Sequence, residues 1–356
     1  METPAPLSAL LGNLPAWWWA LLGLCLAAFA LLRSFVRERP NAARERALRA
    51  IAEQCGRAES AVEQASLDNL RDAPRAAHQR ATRGPAGLRG IYRTPWYLFV
   101  GDSASGVPRL LAAASGESAS IDDGGIWHWT ALDSMVAIAA APAIVEAPDA
   151  PRTRRAWYHA LLALAQERGR LPINGIVVCV DARRLQQERA VVAGEAARLR
   201  RCVDHVASQL RLRLPIHVVV TGLEALASFA TVQAILPDAV RAQAIGHRLH
   251  NDRRSTADAV IDALFLRLYM LRMALLRSHP ATADRLAIHD FIEALRGTEA
   301  GLRVLASELF GPHGGAVPAQ PCRGLFLCAT NDPGGTFVRD VFERFLPADQ
   351  PLARAA

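Results

Sequence analysis

The chain has 356 residues, a formal net charge of +7, and 51% hydrophobic against 21% charged residues. That length allows one or two domains with an ample buried core. No lysine occurs anywhere and the 6 cysteines are scattered, which excludes lysine-based chemistry and argues for buried, reduced thiols over a disulfide-built framework.

Residues 1–15 form a tail. Ala16–Leu32 (AWWWALLGLCLAAFALL) is an uncharged apolar run at the short end of what spans a bilayer. Trp17, Trp18 and Trp19 stand at one end of it, and Arg33, Arg37 and Arg39 follow the other. Aromatic rings favour the interface and the positive end stays inside, so 16–32 is expected to be a single lipid-embedded anchor with everything after it cytoplasmic. A cleaved signal would carry positive charge before the run, whereas only Glu2 is charged there.

Residues 33–90 read as a membrane-proximal helix and linker. Leu48, Ile51, Cys55, Ala58, Val62 and Ala65 make one apolar stripe, and Arg71–Gly90, with Pro74 and Pro85, reads as a hinge or loop. From 91 to 236 short apolar runs alternate with helices. Strands are expected at Trp96–Val100, Ile126–Trp129, Met135–Ala140, Gly175–Val180 and Ile216–Thr221, and helices at Arg154–Arg168 and Gln186–Leu210. Continuous apolar strands separated by helices indicate an α/β fold with a mainly parallel sheet covered on both faces. Residues 237–320 turn wholly helical, with Ala259–Leu276 the strongest amphipathic segment, and form a helical subdomain. In 321–356 a final strand at Gly324–Thr330 and a helix at Thr336–Phe345 return to the α/β domain.

The arginine clusters Arg152, Arg154, Arg155 and Arg198, Arg200, Arg201 lie among acidic residues. They read as a solvated surface, and no nucleic-acid partner is expected. His247 and His250 have no third ligand at helical spacing, so no metal site is expected. Asp181, ending a strand, reads as a cap or turn residue.

The segment PWYLFVGDSASGVPRLL carries a phosphate-loop frame. Gly101 and Gly106 keep the glycine spacing, with Ser103 and Ser105 between them, but Val107 stands where the loop lysine belongs and Pro108 where the magnesium-binding hydroxyl belongs. Backbone amides around Ser103–Gly106 could still cradle an anion. Arg109 reads as a helix-start residue, and Ser103 lacks the last glycine of a nucleophile elbow.

PWYLFVGDSASG, GIWHWT, LPINGIVVCVDARRL, LPIHVVVTGLEALASFA and CRGLFLCATNDPGGTFVRDVF occur in this order. Together they resemble the cytoplasmic part of the IcmF/TssM family, the large inner-membrane component of type VI secretion systems and its type IVB relatives. Pro172–Asn174–Gly175 is the most distinctive piece. The resemblance implies a P-loop GTPase-like α/β domain on a membrane anchor in the bacterial inner membrane. Where such domains carry an Asp-x-x-Gly turn, this chain has Ala139, Ala140, Ala141 and Pro142. Where they read guanine with a Thr-Lys-x-Asp element, it has Thr221, Gly222, Leu223 and Glu224. Phosphoryl transfer depends on positioning and cationic stabilisation, so the expectation is a pseudo-GTPase with no catalytic residue and no cofactor.

Its partners would be type VI membrane-core or baseplate subunits, in a homo- or hetero-oligomer. Family members typically begin with a two-helix hairpin and cross the membrane again into a periplasmic region. One anchor and a chain stopping at Ala356 suggest an accessory scaffold. The alternative is an atypical NTP-binding switch of the same complex.

Overall fold

The computed structural model describes residues 17, 21–29, 48–55, 68–69, 72–76, 79, 92–115, 120–123, 125–249, 256–312, 320–331 and 334–355. The chain divides into two compact units, Met1–Ala50 and Ile51–Ala356. In the first, residues 21–29 are helical, and Leu21, Leu22, Leu24, Leu26 and Phe29 are exposed. Among the described residues no helix is long and apolar enough to cross a membrane. Apart from the exposed Trp17, the rest of the expected anchor at 16–32 lies outside the described residues, as do the stripe positions Ala58, Val62 and Ala65. In the second unit Ile51 and Cys55 are buried, as the stripe requires.

Residues 72–76 are helical, within the stretch expected to be a hinge or loop.

The strands are, in chain order, β1 (Trp96–Val100), β2 (Ser120–Asp123), β3 (Trp127–Ala131), β4 (Val136–Ala140), β5 (Gly175–Asp181), β6 (Leu212–Arg213), β7 (Ile216–Thr221), β8 (Ile245–Arg248), β9 (Cys322–Leu327) and β10 (Arg354–Ala355). An eight-stranded sheet runs β2-β3-β4-β1-β5-β7-β9-β8, and β10 pairs with β6 apart from it. The pairs joining β4, β1, β5, β7 and β9 are all parallel. The strands β2, β3 and β8 at the two edges are antiparallel.

Every residue of β1, β4, β5 and β7 is buried. That fits parallel strands covered on both sides and explains their unbroken apolar runs. Alternation splits them between two cores. Trp96, Leu98, Ile176, Val178, Val218 and Leu325 belong to the larger one. Tyr97, Phe99, Val177, Val219 and Phe326 belong to the smaller.

The helices are α1 (Val107–Ser115), α2 (Ala143–Glu146), α3 (Pro151–Glu167), α4 (Arg189–Leu210), α5 (Phe229–Ile235), α6 (Asp238–Arg241), α7 (Ala257–Ser278), α8 (Thr282–Arg296) and α9 (Glu299–Phe310). Buried residues of α3, α4, α5, α7, α8 and α9 fill the larger core. Residues of α1 and of the C-terminal segment Val338–Leu346 fill the smaller one.

Two expectations need correction. The region 237–320 is not wholly helical, because β8 adds an antiparallel edge strand to β9. Its sequence IGHR has too little apolar content to announce a strand; Gly246 is needed because a Cβ there would stand 2.3 Å from the Leu325 carbonyl. The closing helix starts later than Thr336 and is not regular: residues 339–348 are helical, with a π-helical stretch at Val341–Phe345 running into Leu346–Ala348. Aromatic packing fixes this segment: Phe99 stacks on Phe342 at 5.6 Å and Phe326 on Phe345 at 5.4 Å.

Candidate functional site

The loop leaving β1 sits at the carboxyl ends of the parallel strands, where open α/β sheets bind ligands. Gly101 is obligatory, because a Cβ there would lie 2.2 Å from Ser105 Oγ and 2.8 Å from the Cys179 carbonyl. Asp102 caps a 3-10 turn over Ser103–Ser105 by accepting from the Ser105 amide at 2.9 Å. Gly106, at φ 62°, then turns the chain into α1. The Ser105 hydroxyl donates to the Asp102 carbonyl at 2.6 Å, and the Thr221 hydroxyl donates to the Ser105 carbonyl, also at 2.6 Å. Thr221, the first position of the degenerate base-reading element, thus braces the loop from β7.

The replaced positions have structural work. Val107 is buried in the smaller core. Pro108 is exposed in the first turn of α1, where its missing N–H costs nothing. Arg109 lies over Gly106, its guanidinium 3.1 Å from where a Cβ would stand.

Two carboxylates occupy hydrogen-bonding positions that sequence reasoning missed or left open. Glu146, at the end of α2, accepts from the Ser103 amide at 2.8 Å. That bond holds its carboxyl below the usual range. Glu146 arrives from just beyond the Ala139–Pro142 stretch, so an internal anion meets the loop from the side where an Asp-x-x-Gly turn would. No local motif announces it. Glu224 accepts from the Thr330 hydroxyl at 2.9 Å and from the Thr330 amide at 3.3 Å. Next to this pair, Asn331 donates to Gln233 at 3.0 Å, and Gln233 donates to Thr336 at 2.7 Å.

Charges of both signs surround the loop. Asp102, Asp181 and Glu195 are all buried near the loop. Asp181 accepts from the Arg183 amide at 2.9 Å, a turn-forming role, and Gly222 at φ 74° leaves room for its carboxylate. Arg184 approaches Asp102 at 3.8 Å. Among the described residues no group of three or more His, Cys, Asp or Glu is arranged to hold a metal ion. His247 lies in β8, and His250 is outside the described residues.

Glu195, on α4, is 4% exposed. Burial, with the nearby Asp102 charge adding to it, pushes its carboxyl up to about 7. The folded protein therefore binds this proton more tightly than the unfolded chain. Its stabilising contribution is present below the unfolded carboxyl value and is lost as pH rises through about 7. Urea unfolding of the full chain should show stability falling between pH 5 and pH 8 by roughly 2 kcal/mol from this group. Glu195→Gln should flatten that fall; an unchanged profile would assign the pH dependence elsewhere.

The Pro172–Asn174–Gly175 stretch lies at the opposite, amino-terminal ends of the strands. Asn174 Oδ1 accepts from the Trp96 amide at 2.9 Å, and the Asn174 amide donates to the Trp96 carbonyl at 2.7 Å. Arg168, fully buried, donates to Asn174 Oδ1 at 3.2 Å and packs on the Trp96 ring at 4.6 Å. Burial lowers its guanidinium to about 10. Gly175 lets β5 pass the Tyr97 ring, which a Cβ would approach to 2.5 Å. This motif clamps β1 to β5 and touches no part of the loop site.

A further groove of 410 Å³ opens between the turn after β5 and α9, lined by Leu185, Gln186, Val192, Ala300, Gly301 and Val304 among others. It is separate from the loop after β1.

A family model described as the IcmF-related N-terminal domain matches residues 150–356. The match begins just before α3 and does not include the loop after β1. The type VI secretion system component TssM1 of Pseudomonas aeruginosa is 27% identical over 222 residues, which cover 58% of this chain and 20% of that protein. The chain thus matches about a fifth of the length of this curated relative.

Proposed function

Because the chain belongs to the IcmF-related N-terminal domain family, we propose that it is a non-catalytic, membrane-anchored scaffold of a type VI secretion membrane complex. One observation carries the non-catalytic part. The Ser103 amide and the Glu224 carboxylate, which a nucleotide would need, are both bonded to partners within the chain. A phosphate arriving at Ser103 would have to displace Glu146 and enter beside Asp102, with Val107 in place of the loop cation. Catalysis of phosphoryl transfer rests on preorganised positive charge, and of the nearby arginines Arg184 already faces the Asp102 carboxylate. The relationship to TssM1 supports the secretion complex as the setting. The apolar run 16–32 supports single-pass anchoring in the bacterial inner membrane with the α/β unit in the cytoplasm, other membrane-core or baseplate subunits being the partners.

The second reading, an atypical NTP-dependent switch, draws on the loop's position at the strand ends and the left-handed Gly106 that shapes it. One experiment addresses both. The full chain is affinity-purified from gently solubilised membranes of secreting cells, its companions are identified by mass spectrometry, and the pure protein is titrated with Mg-GTP and Mg-ATP. Type VI subunits should co-purify, and neither nucleotide should bind at millimolar concentration. Recovery of the bait alone would overturn the scaffold, and magnesium-dependent micromolar binding would replace it with the switch.

A further inference from the structure

The helix α7 presents large apolar side chains on the face turned away from its own core. Leu266 is 62% exposed, Tyr269 58%, Met270 63% and Met273 37%. Val260, Ile261, Leu264, Leu268 and Leu275 are its buried residues. At 3.6 residues per turn the four exposed residues, with Asp262 and Arg277 beyond them, fall in one stripe about 100° wide, opposite the buried face. A contiguous apolar stripe of this kind marks an interaction surface, whereas single exposed residues do not.

The order of residues along the stripe is self-complementary. Read outward from the midpoint between Tyr269 and Met270, Leu266 is as far on one side as Met273 is on the other. Asp262 is as far out as Arg277. We propose that α7 pairs with α7 of a second copy of this chain, antiparallel about a two-fold axis through that midpoint. Tyr269 then meets the second copy's Met270, Leu266 its Met273, and Asp262 its Arg277. Both ends gain an acid–base pair from the same sequence, the self-complementarity that a two-fold interface demands. Antiparallel helices also set opposite dipole ends beside each other. Asp262 bonds Arg303 at 2.7 Å within the chain, yet its side chain remains 65% exposed and open to a second cation. The charge pairing selects a second copy as occupant, because any other partner would have to carry the same stripe in reverse. This inference is independent of the secretion reading.

The arrangement fixes distances. With about 1.5 Å rise per residue, Leu266 is level with the second copy's Met273, but about 10 Å along the axis from the second copy's Leu266. The test uses the full chain with the exposed Cys25 replaced by serine. Copies carrying Leu266→Cys and copies carrying Met273→Cys are oxidised separately and as an equal mixture. The mixture should form a disulfide-linked dimer and each variant alone little. An equal yield from Leu266→Cys alone, or no dimer from the mixture, overturns the proposal. A second arm measures dissociation by sedimentation. Arg277→Asp should weaken the dimer roughly fivefold, as two lost surface ion pairs imply, and Asp262→Arg in the same chain should restore it. A double variant as weak as the single would overturn the pairing. All these positions are exposed, so circular dichroism should report an unchanged fold.

Discussion

Replacing Asp349 by alanine should cost the α/β unit about 3–5 kcal/mol, the loss typical of breaking a buried ion pair from one side. Asp349 is fully buried and sits under three strands at once. It accepts from His217 of β7 at 2.9 Å, from Arg323 of β9 at 3.0 Å, and from Arg248 of β8. Burial alone would raise its carboxyl, but the hydrogen bonds from His217, Arg248 and Arg323 outweigh burial and hold it well below the usual range. Burial pushes His217 the other way, toward the neutral ring. The contact is therefore a neutral imidazole Nε2–H donating to a carboxylate, and the two arginines carry the compensating charge.

The carboxylate value is depressed on folding, so its stabilisation is present above the unfolded value and is lost only in strong acid. The deficit of Asp349→Ala should consequently be constant from pH 5 to pH 8, unlike the Glu195 effect. Urea unfolding of the full chain in mild detergent measures both. A deficit below about 1 kcal/mol would mean that water replaces the carboxylate at little cost.

Gly301→Ala should reverse the usual sign of a glycine-to-alanine change within a helix. Alanine ordinarily gains about 0.5–1 kcal/mol there. At this position a Cβ would stand 2.0 Å from the Leu185 carbonyl oxygen and under 3 Å from two further backbone atoms. No side chain can swing away, so α9 or the turn after β5 must move. Overpacking of this kind costs about 1–3 kcal/mol and more when backbone must shift. A net loss of about 2 kcal/mol is expected, a fall in Tm of several degrees for a domain this size. The groove between Leu185 and α9 should widen with it. Unchanged or raised stability would show that α9 is free to slide.

The central sheet was legible because β1, β4, β5 and β7 are apolar on both faces, and the continuous runs VVCV and HVVVT admit little else. The short pieces β6 and β10 were not, since two residues carry no periodicity. β8 was hidden for a different reason: its pairing with β9 is set by a chain segment on the far side of three helices. At the candidate site the replaced loop positions could be read from spacing alone. The occupants could not. Glu146 meets a residue 43 positions away and Glu224 one 106 positions away, and no local pattern encodes such distances. The motif Pro172–Asn174–Gly175 was the opposite case, conspicuous in sequence yet a clamp for β1 and β5.

The place of β9 in the sheet sets a timetable for synthesis. Its two neighbours, β7 and β8, both precede it in the chain, with α7, α8 and α9 made in between. A ribosome adding about 5–20 residues per second needs several seconds to cover that interval. Throughout it the nascent chain holds β7 with an open edge, the surface on which unwanted strand pairing begins. Arg323 and then Asp349 emerge last and close it. Nascent chains of this protein should therefore depend on chaperone cover in that interval, and slow codons placed between α9 and β9 should raise aggregation more than the same codons placed after residue 349.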